Sequence, residues 1–165
     1  MRVPGIAWWP GRIPAGSQSD ALTTVMDMLP TYHQLVFEAP FDEAIIDGYD
    51  ISPLLLGKEK TSPYQAFFYY DRDQLQAVRR GNWKLHLPLK HRFKGHYSDE
   101  GFAIEAELYN LKDDIGEQLN VATAHPEIVK KLQEYAQRAR EVLGDTDKPS
   151  PYQRPAGKVL KAEAW

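Results

Sequence analysis

Two residues, Gly81-Asn82, constrain this chain more than any other feature. They separate residues 75–80 from residues 83–87, two short runs that read as strands. Gly-Asn between such runs is a two-residue hairpin turn, because it supplies the positive φ that the turn demands. The turn also fixes a register. Arg80 falls opposite Trp83 and Val78 opposite Leu85. On the other face Arg79 falls opposite Lys84, beside His86. Like charges directly opposite each other repel. That face is therefore expected to meet a carboxylate or an anion.

The rest of the second half builds on this hairpin. The aromatic run 66–70 reads as a further strand, and so does 107–111. Residues 112–117 read as a polar turn. Residues 126–143 read as a helix, with Pro126 suited to the first helical position and Gly144 to the residue after the end. Ile128, Val129, Leu132, Tyr135, Ala136, Ala139, Val142 and Leu143 follow helical spacing. A helix with one apolar stripe covers one face of something, most simply this sheet. The expected fold class is α+β: a small antiparallel sheet of about four strands packed on a C-terminal helix. The tail from Asp145 reads as loosely ordered.

The first half is harder to read. Ile6, Ala7, Trp8 and Trp9, bounded by Pro-Gly on both sides, read as a short buried strand, with the tryptophans as core or interface residues. A helix is expected from Asp27, as N-cap, to about Phe37, with Pro30 in its first turn. Met28, Leu29, Tyr32, Leu35 and Val36 would form its apolar face. Residues 38–50 carry Glu38, Asp42, Glu43, Asp47 and Asp50 with no Lys or Arg. They lack the regular oxygen spacing of a calcium loop and read as a solvated loop. Residues 57–63 read as an exposed linker.

Composition narrows the function. The 165 residues suffice for one domain with a real core. The net charge of −3 gives no global pull toward nucleic acid or an anionic membrane. No apolar run approaches the ~20 residues of a membrane helix, and the opening MRVPGIAWWPG does not read as a signal peptide. The absence of cysteine rules out disulfides, zinc–thiolate sites and thiol nucleophiles within the chain. It fits any compartment.

Five phrases, in order, resemble the formylglycine-dependent sulfatases, particularly the arylsulfatase branch. They are RVPGIAWWPGRIPAG near the start, Ser19-Asp20 through MDMLPT, IDGYDISPLL at 46–55, LQAVRRGNWKLHLP at 75–88 and LYNLKDDIGEQLNVATAHP at 108–126. The resemblance spans residues 2 to 145. It implies that residues 1–56 belong to an alkaline-phosphatase-like α/β domain lying mostly upstream. Residues 57–145 would form the C-terminal subdomain, and 146–165 a flexible tail.

It also implies chemistry. Sulfatases hydrolyse sulfate esters with a formylglycine made from Cys or Ser in a C/S-x-P-x-R motif, aided by a calcium ion and by Lys and His groups. This chain has no such motif. In relatives the calcium ligands and a catalytic Lys fall just upstream of the position that Met1-Arg2 occupy. The expectation is a C-terminal sulfatase fragment, inactive alone, with no catalytic residue, metal ligand or cofactor of its own. Calcium and formylglycine are expected in the full-length family.

One element of the substrate site is expected to remain. In relatives a His in the loop after the W-K-L strand reaches toward substrate, which makes His91 and His96 the candidates. From Arg79 to Ser98 there are six Lys or Arg and no acid: Arg79, Arg80, Lys84, Lys90, Arg92 and Lys94. Cationic donors favour an anionic group such as a sulfate. The plainer readings are two solvated loop histidines, a solvated basic stretch, and His86 as a surface strand residue. Two alternatives stand beside the inactive fragment. In one, the chain completes a split sulfatase as partner of a separate N-terminal half. Or it is a non-enzymatic module binding sulfated ligands through the basic loop 84–96.

Overall fold

The computed structural model describes residues 3–41, 46–89, 105–146 and 148–152. The chain divides into two compact units, residues 1–65 and 66–165.

The second unit is a four-stranded antiparallel meander. Its strands are β1 (Phe67–Asp71), β2 (Gln74–Arg80), β3 (Trp83–His86) and β4 (Glu107–Asn110), in the order β1-β2-β3-β4. Gly81 takes φ 57° in the β2–β3 turn, a conformation that glycine adopts without steric cost. The register is the one its turn dictates: Val78 pairs with Leu85, Arg79 with Lys84 and Arg80 with Trp83.

Alternation along the strands sorts the side chains onto two faces. Val78, Leu85, Leu87 and Leu108 are buried in one cluster with Leu132, Ala136 and Ala139 of the helix Pro126–Leu143, and Leu75 joins them where the β1–β2 register shifts between Tyr69 and Tyr70. That helix begins and ends where Pro126 and Gly144 place its limits. The smaller alanines let it lie close to the sheet. Arg80 lies over the Tyr135 ring at 5.6 Å, adding a cation–π contact between sheet and helix.

The residues directly after the helix are tied to it and to the sheet. Gly144–Asp145 pairs antiparallel with Lys148–Pro149. Asp145 accepts from Arg140 Nε at 2.7 Å and from the Leu75 backbone N–H at 3.2 Å. Burial alone would raise the Asp145 pKa; the Arg140 hydrogen bond and the backbone donors lower it on balance. Tyr70 Oη donates to the Gly144 carbonyl at 2.9 Å. Gly144 and Asp145 are held here because they satisfy polar groups of β1, β2 and the helix.

The first unit departs from expectation in three places. Residues 6–9 form no strand. The Trp9 carbonyl accepts the N–H groups of Arg12 and Ile13 in a turn, and Trp8 is 84% exposed. A strand needs a neighbour to take its backbone bonds, and among the described residues none pairs with this one. The helix α1 (Met28–Phe37) follows a 3-10 turn, Val25–Asp27, capped by Thr24. Asp27 makes no cap bond to α1. It is fully buried and accepts from Thr24 N (2.6 Å), Tyr49 N (2.9 Å) and Tyr64 Oη (2.6 Å). Burial and the Asp27 hydrogen bond raise the Tyr64 pKa.

The apolar face of α1 is the third departure. Leu29, Tyr32 and Val36 are exposed, and α1 buries Pro30 and Thr31 instead. Thr31 Oγ1 accepts from the Ile51 backbone N–H at 2.9 Å. Gly48 packs so tightly against this knot that a Cβ there would lie 2.0 Å from the Met26 carbonyl oxygen. A short helix, α2 (Ser52–Leu55), follows, and Asp50 accepts from both Ser52 N and Ser52 Oγ at its start. Within residues 57–63 the linker is tied back, since Ser62 Oγ donates to the Leu22 carbonyl at 2.7 Å.

Leu85 is fully buried between the sheet and the helix. Leu85→Ala is expected to cost about 3 kcal/mol, the transfer loss plus the cavity left behind. Urea unfolding of the chain checks this, and a loss under about 1 kcal/mol would contradict the packing described.

Candidate functional site

The face of the sheet opposite the helix carries Arg79, Lys84, His86, Glu107 and Tyr109 by strand alternation. The carboxylate this face requires is Glu117. It stands in the turn after β4. Its backbone is left-handed, at φ 54°, and its side chain returns over β3. Lys84 Nζ donates to both carboxylate oxygens, at 2.7 and 2.9 Å. His86 Nε2 lies 2.5 Å from Glu117 Oε2.

Aromatic rings close around these ions. Lys84 Nζ sits 5.0 Å from the centre of the Tyr69 ring. Tyr109 meets the His86 ring edge-on at 5.6 Å and donates its hydroxyl to Glu107 at 2.9 Å. Burial, then the Glu107 hydrogen bond, push the Tyr109 pKa up to about 12. Burial alone would raise the Glu117 pKa. Hydrogen bonds from His86 and Lys84, with the charge of Lys84, outweigh it and bring the group down to about 2.

Lys84 is therefore a buried cation, 7% exposed, with a matched partner. His86, expected on the surface, is half-buried and hydrogen-bonded. Residue-by-residue reading placed Glu117 only at the end of a polar turn. The signal that finds it is the demand for a carboxylate opposite Arg79 and Lys84.

His91 and His96 lie outside the described residues, as do Lys90, Arg92 and Lys94. What the structure describes is where their segment is attached. Leu87 to Leu89 follow β3, and Glu105-Ala106 lead into β4. His86 and Glu107 are cross-strand partners, so both attachments lie at the same end of the β3–β4 pair.

Among the described residues, no group of three His, Asp or Glu side chains is placed to hold a metal ion. Asp50 is committed to Ser52, and Asp27 to its own knot. No helix among the described residues is long and apolar enough to cross a membrane.

Comparison with known proteins gives this meander and its helix a family. The family model for the C-terminal region of aryl-sulfatase matches residues 62–154, and the chain belongs to that family. Canine (Canis lupus familiaris) N-acetylgalactosamine-6-sulfatase is 46% identical over 87 residues, which are 53% of this chain and 16% of that protein. Human (Homo sapiens) arylsulfatase A is 36% identical over 152 residues, covering 81% of this chain and 29% of that protein. A solved structure from work on glycosaminoglycan metabolism by Bacteroides thetaiotaomicron superposes with a TM-score of 0.65 at 26% identity. That superposition covers 80% of this chain and 28% of the other. The chain thus spans less than a third of the length of these relatives, and it matches their C-terminal region.

The Glu117 pairing predicts a pH dependence. Its pKa is lowered on folding, so its contribution is present above the ordinary value of 4.5 and lost as pH falls toward about 2. Glu117→Gln is expected to destabilise the chain at pH 7 by about 1–3 kcal/mol, since Lys84 stays buried without a counter-charge. The gap between variant and parent should shrink below pH 4.5. Urea midpoints at pH 7, 5 and 3 measure it, and a gap that does not change with pH would rule the account out.

Proposed function

We propose that this chain is the C-terminal portion of a sulfuric ester hydrolase of the arylsulfatase type, and that it contributes to substrate binding without itself carrying the nucleophile. The observation that carries this reading is the family match over 62–154 on a sheet whose β3–β4 connection bears Lys90, His91, Arg92, Lys94 and His96. Cations and imidazoles on one connection suit the oxygens of a sulfate ester, carried on a small molecule or a glycan. His91 and His96 are assigned to substrate binding.

The formylglycine and the calcium ion belong, in this reading, to an N-terminal portion. There the aldehyde hydrate supplies the nucleophile and the metal neutralises sulfate oxygens. Residues 1–56 would be the part of the chain that joins that α/β domain, and 57–145 the C-terminal subdomain. The exposed apolar residues Trp8, Val25, Leu29, Val36 and Phe37 support this, because surface of that kind is usually covered by a partner. The same surface supports a role as the partner of a separately encoded N-terminal half. The binding-module reading rests on the basic connection alone.

Two measurements test the proposal. The chain by itself is expected to show no calcium-dependent hydrolysis of an aryl sulfate above background, and turnover would overturn it. Co-expressed with the N-terminal portion, it is expected to co-purify and to restore activity. In that assembly His91→Ala and His96→Ala are then compared. Loss of a charge-assisted hydrogen bond is worth roughly 1.5–3 kcal/mol, about 10- to 100-fold in kcat/KM for whichever His contacts the sulfate. If neither variant changes the kinetics, the assignment of both histidines fails.

A further inference from the structure

The register of β2 and β3 sets Arg79 directly opposite Lys84 on the face away from the helix. Two like charges so placed call for two counter-charges. Among the described residues only Lys84 receives one. Glu117 gives both carboxylate oxygens to Lys84, and one of them to His86 as well. Glu107, on the same face, accepts from the Tyr109 hydroxyl. It belongs to the next cross-strand row, Tyr69–Ala77–His86–Glu107, two strands away from β2. Two strand spacings are roughly 10 Å, so salt largely screens its field at Arg79.

Arg79 is nevertheless held in one direction. Its Nε donates to the Gly81 carbonyl at 3.1 Å, in the turn that follows. That uses one edge of the guanidinium. Among the described residues its two Nη groups meet no acceptor, and they form a fork matched to two oxygens of one anion. Phe67 is the cross-strand neighbour on the β1 side, and Lys84 the neighbour on the β3 side. The rings of Phe67 and Tyr69 meet edge-on at 5.0 Å along β1. Arg79, Phe67 and Tyr69 are all half-buried. An aromatic wall lowers the local dielectric and strengthens a charge-assisted hydrogen bond made beside it. An anion arriving here also relieves the repulsion between Arg79 and Lys84.

We infer that Arg79 anchors an oxyanion site on this face of the sheet, and that the site takes a sulfate group, as the free ion or as a monoester. The Nη fork meets two sulfate oxygens, and Phe67 flanks the group that an ester carries. The anion site stands on the strand register. The choice of sulfate rests on the reading of the chain as part of a sulfuric ester hydrolase.

The test titrates the full chain with sodium sulfate and, separately, with 4-nitrophenyl sulfate, at an ionic strength held constant with sodium chloride. The Arg79 Nε–Hε signal in nitrogen-15 NMR reports the site itself and is expected to shift saturably. The backbone amides of Gly81 and Lys84 follow binding in variants. Arg79→Lys keeps the charge and loses the fork, and should bind about three- to tenfold more weakly. Arg79→Gln should bind at least about tenfold more weakly. Removing one of two opposed cations spares the fold, so Arg79→Gln is expected to match the parent's melting temperature in chloride. Sulfate should then raise the parent's melting temperature more than the variant's, since its general salting effect is common to both.

An equal response to both ligands assigns the site to the sulfate group alone, and tighter binding of the ester adds the flanking ring; either result supports the anchor. No saturable shift at Arg79, or Arg79→Gln binding as well as the parent, overturns it. If binding survives Arg79→Gln and is lost when Lys90, Arg92 and Lys94 become Gln, the inference is overturned while the proposed function stands. Failure of the co-expressed halves to hydrolyse an aryl sulfate would count against the proposed function, and a sulfate shift at Arg79 would still establish the anion site.

Discussion

The two-residue turn at Gly81-Asn82 sets which side chains share a face, and the second unit depends on that choice. A slip of one residue would carry Leu85 and Val78 to the polar face and Lys84 to the helix. With the register as it is, the leucines meet Leu132 and Ala136, and Lys84 meets Glu117. The helix cannot dock without the first set, and the charged face cannot be buried without the second. Core and ion pair are two results of one backbone decision.

Much of this was legible in the sequence because the signals were local. The turn dipeptide, the Pro126 and Gly144 limits, and the stripe from Ile128 to Leu143 each act over a few residues. The need for a carboxylate near Lys84 was also legible, as a consequence of placing two cations opposite each other. The identity of that carboxylate was not, because Glu117 reaches its partners across 33 and 31 residues of chain. Sequence spacing carries no information about which acid in a turn folds back. The candidate histidines were legible only through family resemblance, since His91 and His96 sit in no periodic pattern.

The first unit failed the local reading for a physical reason. Amphipathic spacing in α1 identifies an apolar face and says nothing of what covers it. In this chain Asp27, Thr31, Tyr64 and Gly48 organise the opposite side through buried hydrogen bonds and close backbone approach. Polar groups define the interior of that unit, while the larger apolar side chains lie outward. Asp27 looked like a helix cap because caps and buried acceptors use the same residue types. The two roles separate only once Tyr49 and Tyr64 are seen to converge on it.

The short pairing of Gly144–Asp145 with Lys148–Pro149 has a practical side. Cut at the end of the long helix, the polypeptide would lose the Asp145 acceptor for the Leu75 amide and the Gly144 acceptor for Tyr70. Two donors of the sheet would then be stranded beside the core. Anyone trimming or fusing this polypeptide should therefore keep residues 144–149 with the helix and not cut at residue 143.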